Sequence, residues 1–224
     1  MKEWKAGVAV LVLVGAALVM WWVTSRRAEP VMPIVPGLSE RGTAVPTSGP
    51  AATVTIAPTA TPVKANLAEP VGEFKPRITK KFFGTYITPQ NSPVSPERFT
   101  GYHTGVDVEY TDVTGDVPVS AVADGTVVVS RIVSGYGGVI IIRHTINGQT
   151  LYGVYGHLRP TSLAPVNTVV SRGRQIAVLG TGYTAQTDGE RHHLHFALAK
   201  ANTLAGYVSI QSALSGWLDP LSLY

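Results

Sequence analysis

Asn147-Gly148 stands between two apolar runs, Val139-Ile140-Ile141-Ile142 and Leu151-Tyr152-Gly153-Val154-Tyr155. A two-residue hairpin loop needs positive φ at both central positions, and Asn-Gly supplies it, so the two runs are expected to fold back on each other as antiparallel strands. The same texture extends from Glu73 to Tyr224. Short β-branched or aromatic runs are broken by Gly, Pro, Asn and Asp, and no long amphipathic helix interrupts them. Strands are predicted over 117–121, 125–133, 138–145, 150–156, 174–179 and 193–199, with the Pro-, Thr- and Ser-rich segment 86–102 as an ordered loop. The predicted fold class is all-β and antiparallel, and about 150 residues suffice for one self-sufficient core.

Upstream of that region the chain changes character twice. Residues 6–24 carry no charge. As a helix they would span about 28 Å, close to the hydrocarbon thickness of a bilayer. Trp21 and Trp22 stand at one end, with Lys2 and Lys5 before the run and Arg26 and Arg27 after it. No small-x-small cleavage site follows, so residues 1–27 are expected to be an uncleaved single-pass transmembrane anchor rather than a signal peptide. Glu3 offsets one of the N-side lysines, and basic residues on the two flanks are too evenly matched to set an orientation. Residues 28–72 contain eight prolines and no aromatic residue. They read as a disordered or partly polyproline linker able to reach roughly 140 Å. Residues 73–224 form the expected domain.

There is no cysteine, which excludes disulfides and thiolate metal sites. The net charge of +4 falls to +2 from Glu73 onward, where 12 Lys and Arg face 10 Asp and Glu. No basic cluster interleaved with aromatics occurs there, so no nucleic-acid partner is expected.

Chemistry concentrates in Arg191-His192-His193-Leu194-His195-Phe196, which holds three of the six histidines. Two-residue alternation puts His193 and His195 on one strand face and turns Leu194 and Phe196 to a core. His103 and Asp107, in Gly101-Tyr102-His103-Thr104-Gly105-Val106-Asp107, are spaced as for a helix face. The two glycines and the β-branched neighbours argue instead for a turn entering a strand. His157 ends the second hairpin strand, where side chains reach a cleft. Imidazole and carboxylate without thiolate suit zinc, and a catalytic zinc takes three protein ligands. Spacing alone leaves open which of His103, His157, His193 and His195 would be ligands.

His103-Thr-Gly-Val-Asp107, Tyr-Gly-His157-Leu, His193-Leu-His195-Phe and the closing Trp217-Leu-Asp219-Pro220 occur in an order that resembles the LytM/lysostaphin-type zinc metallopeptidases. So do Gly115-Asp-Val-Pro118 through Gly125 and Gly173-Arg-Gln-Ile through Gly182, and the resemblance spans about residues 76–222. It implies an antiparallel duplicated hybrid motif with a metal groove between loops. It also implies one Zn²⁺ held by His103, Asp107 and His195, with His157 and His193 as catalytic histidines. The implied activity is hydrolysis of peptide bonds in bacterial peptidoglycan. That activity would place the domain on the extracytoplasmic side of the cell membrane. The alternative is a non-catalytic domain of this type that binds peptidoglycan or activates an amidase. A weaker reading is a lipoyl-like or carbohydrate-binding module, which would hold no metal.

The remaining candidates have plainer readings. His144 is expected to be structural or at the surface, and His192 to face solvent opposite His193. Asp112, Asp116 and Asp124 read as turn residues, and Tyr102, Tyr152 and Tyr155 as packing residues. Gly105 and Gly156 are expected to permit close backbone packing.

Overall fold

The computed structural model of the chain describes residues 65–224. The anchor expected over 6–24 and the linker up to residue 64 lie outside the described residues. Among the described residues no helix is long and apolar enough to cross a membrane.

The described residues form strands and short 3-10 turns, and every strand pair is antiparallel. In chain order the strands are β1 Tyr86–Ile87, β2 Gly101–His103, β3 Val106–Glu109, β4 Pro118–Ser120, β5 Gly125–Val133 and β6 Gly137–Ile146. They continue with β7 Gln149–Leu158, β8 Val169–Val170, β9 Gln175–Val178, β10 His193–Ala199, β11 Tyr207–Val208 and β12 Trp217–Leu218. The main sheet runs β12-β10-β7-β6-β5-β8, and β3 joins β10 along the same edge as β12. A three-stranded sheet β1-β2-β11 and a pair β4-β9 complete the domain.

The hairpin at Asn147-Gly148 forms as expected, with φ of 49° and 75° at the two turn residues. Strands β5 and β10 have the predicted limits, and β6 and β7 each extend past theirs by one or two residues per end. The segment 86–102 begins and ends in strand rather than being loop throughout. β3 and the two-residue strands went unpredicted because so short a run carries too few alternations to show a period.

Alternation along the sheet separates two apolar clusters. Ile140 and Ile142 of β6, Tyr155 of β7 and Leu194, Phe196 and Leu198 of β10 enter the larger one. Val139, Ile141, Val154, Ala197 and Ala199 enter a smaller one on the opposite side, which Trp217 helps close. Burial on both faces makes the central strands read as continuous apolar runs. Residues 65–72, at the end of the stretch read as linker, lie along this domain. Val71 is buried, Ala68 N–H donates to Val122 O (2.9 Å), and Pro70 O accepts from Ser120 N–H (2.8 Å). Backbone pairing of that kind leaves no trace in a Pro- and Ala-rich sequence.

Candidate metal centre and groove

The register of β10 assembles the site. His195 lies opposite Asp107 of β3 on one side and Gly156 of β7 on the other, so the residue after Gly156, His157, comes to the same end. His103 ends β2 in a different sheet, and Thr104-Gly105 carries the chain across to β3. A Cβ at Gly105 would collide with the Phe196 carbonyl oxygen, so the crossing requires glycine there. His157 itself has φ of 62°, a left-handed conformation uncommon for a non-glycine residue and characteristic of functional positions.

All five predicted side chains converge, and all are buried. His103 Nε2, His195 Nδ1 and Asp107 Oδ1 form a triangle with edges of 3.0, 3.1 and 3.2 Å. Ligand bonds of about 2.0–2.1 Å in a tetrahedral zinc site place neighbouring ligand atoms about 3.3 Å apart, so the triangle fits such an ion. His103 Nδ1 faces the Phe82 carbonyl at 3.3 Å, and donating there leaves Nε2 as the lone-pair nitrogen in the triangle. These three residues could hold a metal ion. His157 and His193 lie beside them with ring centroids 4.3 Å apart. The His157 Nδ1–H donates to Thr187 O (3.2 Å) and the His193 Nδ1–H to Arg191 O (2.9 Å), which leaves each Nε2 as an acceptor.

The electrostatics suit cation binding. Burial by itself would raise the Asp107 pKa, but His103, His193 and Arg191 outweigh it and hold the carboxylate well below its usual range. Burial lowers His195 to about 4 against the opposing pull of Asp107. Burial, reinforced by His193 and His195, holds His157 well below its ordinary value.

Arg191 was not assigned a role from the sequence, although the two-residue alternation that pairs His193 with His195 also includes it. Its guanidinium is buried and donates to Asp107 Oδ2 (2.7 Å) and to both oxygens of Glu109 (2.7–3.0 Å). Lys81, also missed, is buried with Glu97 at 2.5 Å and donates to Tyr207 Oη at 2.9 Å. Arg98 ties the 88–100 loop to the 183–192 loop through Glu190 (2.9 Å) and the Asp188 carbonyl (2.7 Å). Lys81, Phe99, Glu190, Arg191 and Tyr207 line a half-open cavity of about 280 Å³ over the histidines.

The other candidates lie elsewhere. His144 is buried, with its ring nitrogens at Asp124 O and Tyr155 Oη. His192 is half-buried with Nδ1 at Tyr110 O, not fully turned to solvent. Asp112 pairs with Arg77, Asp116 with Arg159, and Asp124 accepts from Arg172 N–H. Gly156 is required by a side chain rather than by backbone, since a Cβ there would meet the Tyr136 ring at 2.5 Å.

Among solved structures, the chain is similar to the catalytic domain of lysostaphin from Staphylococcus simulans, at 22% identity and a TM-score of 0.43, over 63% of this chain and 86% of that one. It is similar to LytU at 27% identity and 0.42, over 64% and 81%. The SpoIIIAH–SpoIIQ complex structure matches at 22% and 0.48, over 71% and 100%. No curated protein matches the chain. Residues 101–206, which include all five converging side chains, match the model of peptidase family M23.

Proposed function

We propose that this chain is a membrane-anchored, zinc-dependent metalloendopeptidase that hydrolyses peptide bonds in bacterial peptidoglycan. The observation that supports it is the convergence of His103, Asp107 and His195 at metal-ligand spacing beside His157 and His193, inside a span that matches a peptidase family. His103, Asp107 and His195 would hold one zinc ion. When bound, zinc supplies Lewis acidity and brings a water's pKa toward neutrality.

The chain's own residues handle the protons. His157 is held neutral by burial, and its Nε2 is left as an acceptor, so it suits a general base that takes the attacking water's proton. His193 presents the same tautomer, so either imidazole can take that proton on Nε2 and, as the imidazolium, return the same proton to the leaving amine. Arg191 orients Asp107, and the loops joined by Arg98 wall the groove. In this reading residues 1–27 anchor the chain in the cell membrane and the domain works on the extracytoplasmic side. The substrate is a peptidoglycan peptide and no nucleic acid is bound.

The test is metal analysis of the purified full-length chain together with mass spectrometry of products released from peptidoglycans of different cross-link chemistry. About one zinc per chain and released peptide fragments are expected. A folded chain with no zinc would overturn the metal assignment. Zinc with retention on insoluble peptidoglycan but no product would favour the non-catalytic binding or activating alternative.

A further inference from the structure

Among the described residues, the buried side-chain N and O atoms that lack a hydrogen-bond partner are Tyr136 Oη, Arg191 Nη1 and His195 Nε2. All three residues line the cavity over the histidines. An unpaired buried donor is unfavourable, so three of them in one cavity indicate a cavity built to receive a polar ligand. Two of the three residues are otherwise engaged. His195 uses Nδ1 in the triangle, and Arg191 holds Asp107 and Glu109 through Nε and Nη2. The Tyr136 hydroxyl makes no bond at all.

Its backbone, by contrast, is tightly fixed. Tyr136 lies between Gly135 and Gly137, which take φ of 86° and 63° in the turn from β5 to β6. A Cβ at Gly137 would collide with the Gln186 carbonyl oxygen. Tyr136 N–H donates to Val133 O (3.0 Å), Tyr136 O accepts from His157 N–H (2.9 Å), and Gly135 N–H donates to Asp188 Oδ2 (2.8 Å). The ring packs edge-on to His195, with centroids 5.5 Å apart, and lies 6.1 Å from His157. Phenylalanine would fill the same space, so packing does not account for the hydroxyl. Burial, seconded by Asp107, raises the phenol's pKa and keeps it a donor.

We propose that Tyr136 is a catalytic residue: its hydroxyl donates a hydrogen bond to the scissile carbonyl oxygen and stabilises the negative charge that develops there. The inference rests on the hydrolysis proposed above. The hydroxyl keeps its proton throughout, and proton transfer stays with His157 and His193. A donor already fixed in place requires no reorganisation as the oxyanion forms.

The test compares wild-type and Tyr136→Phe full-length chains on a peptidoglycan the wild type cleaves. Zinc content should be equal. The metal-free thermal midpoint should be unchanged or higher, because an unpaired donor has been removed. The kcat should fall about 100-fold or more, with KM within about twofold. Equal kcat would overturn the proposal, and so would loss of zinc or of stability, which would mark Tyr136 as structural. A wild type that releases nothing from any peptidoglycan overturns the functional reading and this inference with it. An active wild type beside an equally active Tyr136→Phe removes the inference alone.

Discussion

Arg191 Nη2 donates to Asp107 Oδ2 at 2.7 Å, while Asp107 Oδ1 lies 3.1 Å from His195 Nδ1 and 3.2 Å from His103 Nε2. The guanidinium occupies one carboxylate oxygen and leaves the other to the imidazoles. Outer partners of this kind fix a ligand's orientation, and their loss costs about 10–100-fold in metal affinity. Arg191→Met should show that loss in chelator competition. Because Asp107 would remain buried without its guanidinium, and Glu109 would keep only Lys80 at 3.7 Å, it should also lose about 3–5 kcal/mol in denaturant unfolding. Arg191→Lys keeps the charge but not the fork, and should recover stability more fully than metal affinity.

The two classes of histidine should separate by metal content. His103→Ala and His195→Ala are expected to lose zinc. His157→Ala and His193→Ala are expected to retain it while turnover falls about 100- to 10,000-fold. Zinc per chain and product release, measured on the same preparations, distinguish the classes. Zinc retained at wild-type level in His195→Ala would refute the division.

The metal-free domain should lose stability in mild acid. His195 has a folded pKa of about 4 against an ordinary 6.5, so below 6.5 the unfolded chain takes up the proton first. Stability is therefore full above about pH 6.5 and declines as pH falls toward 4. By linkage this residue contributes about 3 kcal/mol across that window. His157, also depressed by burial, adds in the same direction. Bound zinc should steepen the decline, because protons compete for the same nitrogens. Denaturant midpoints between pH 7 and pH 4, with and without chelator, provide the check.

Lys81 and Glu97 should behave as one unit. The pair is buried, and Glu97 also accepts from Ser92 Oγ (2.7 Å) and Phe99 N–H (3.0 Å). Burial would raise the Glu97 pKa, but Lys81 and these bonds outweigh it and lower it, so the carboxylate is favoured. Lys81→Met or Glu97→Gln alone should cost about 3–5 kcal/mol. The double substitution should cost clearly less than the sum, which a double-mutant cycle by chemical denaturation would measure. Additive effects would show that the two groups are not coupled.

Local chemistry in the chain determined the antiparallel class, the hairpin at Asn147-Gly148 and the shared face of His193 and His195. Each depends on φ preference or two-residue alternation, which neighbours in sequence are enough to express. The expectation that His103, Asp107, His157, His193 and His195 form the site came from the ordered motifs of a family resemblance, not from spacing. Three things were decided only in three dimensions. The β10 register sets Asp107 beside His195, the Gly105 crossing brings His103 in from a second sheet, and Arg191 neutralises Asp107. Tyr136 belongs with these. It lies in a turn with no period, and its hydroxyl stands out only because the folded chain buries it and offers no partner. Tertiary pairing joins residues far apart in the chain, 92 positions in the case of His103 and His195, and burial removes the solvent that would otherwise satisfy or screen each group. Neither effect has a local signature in the sequence.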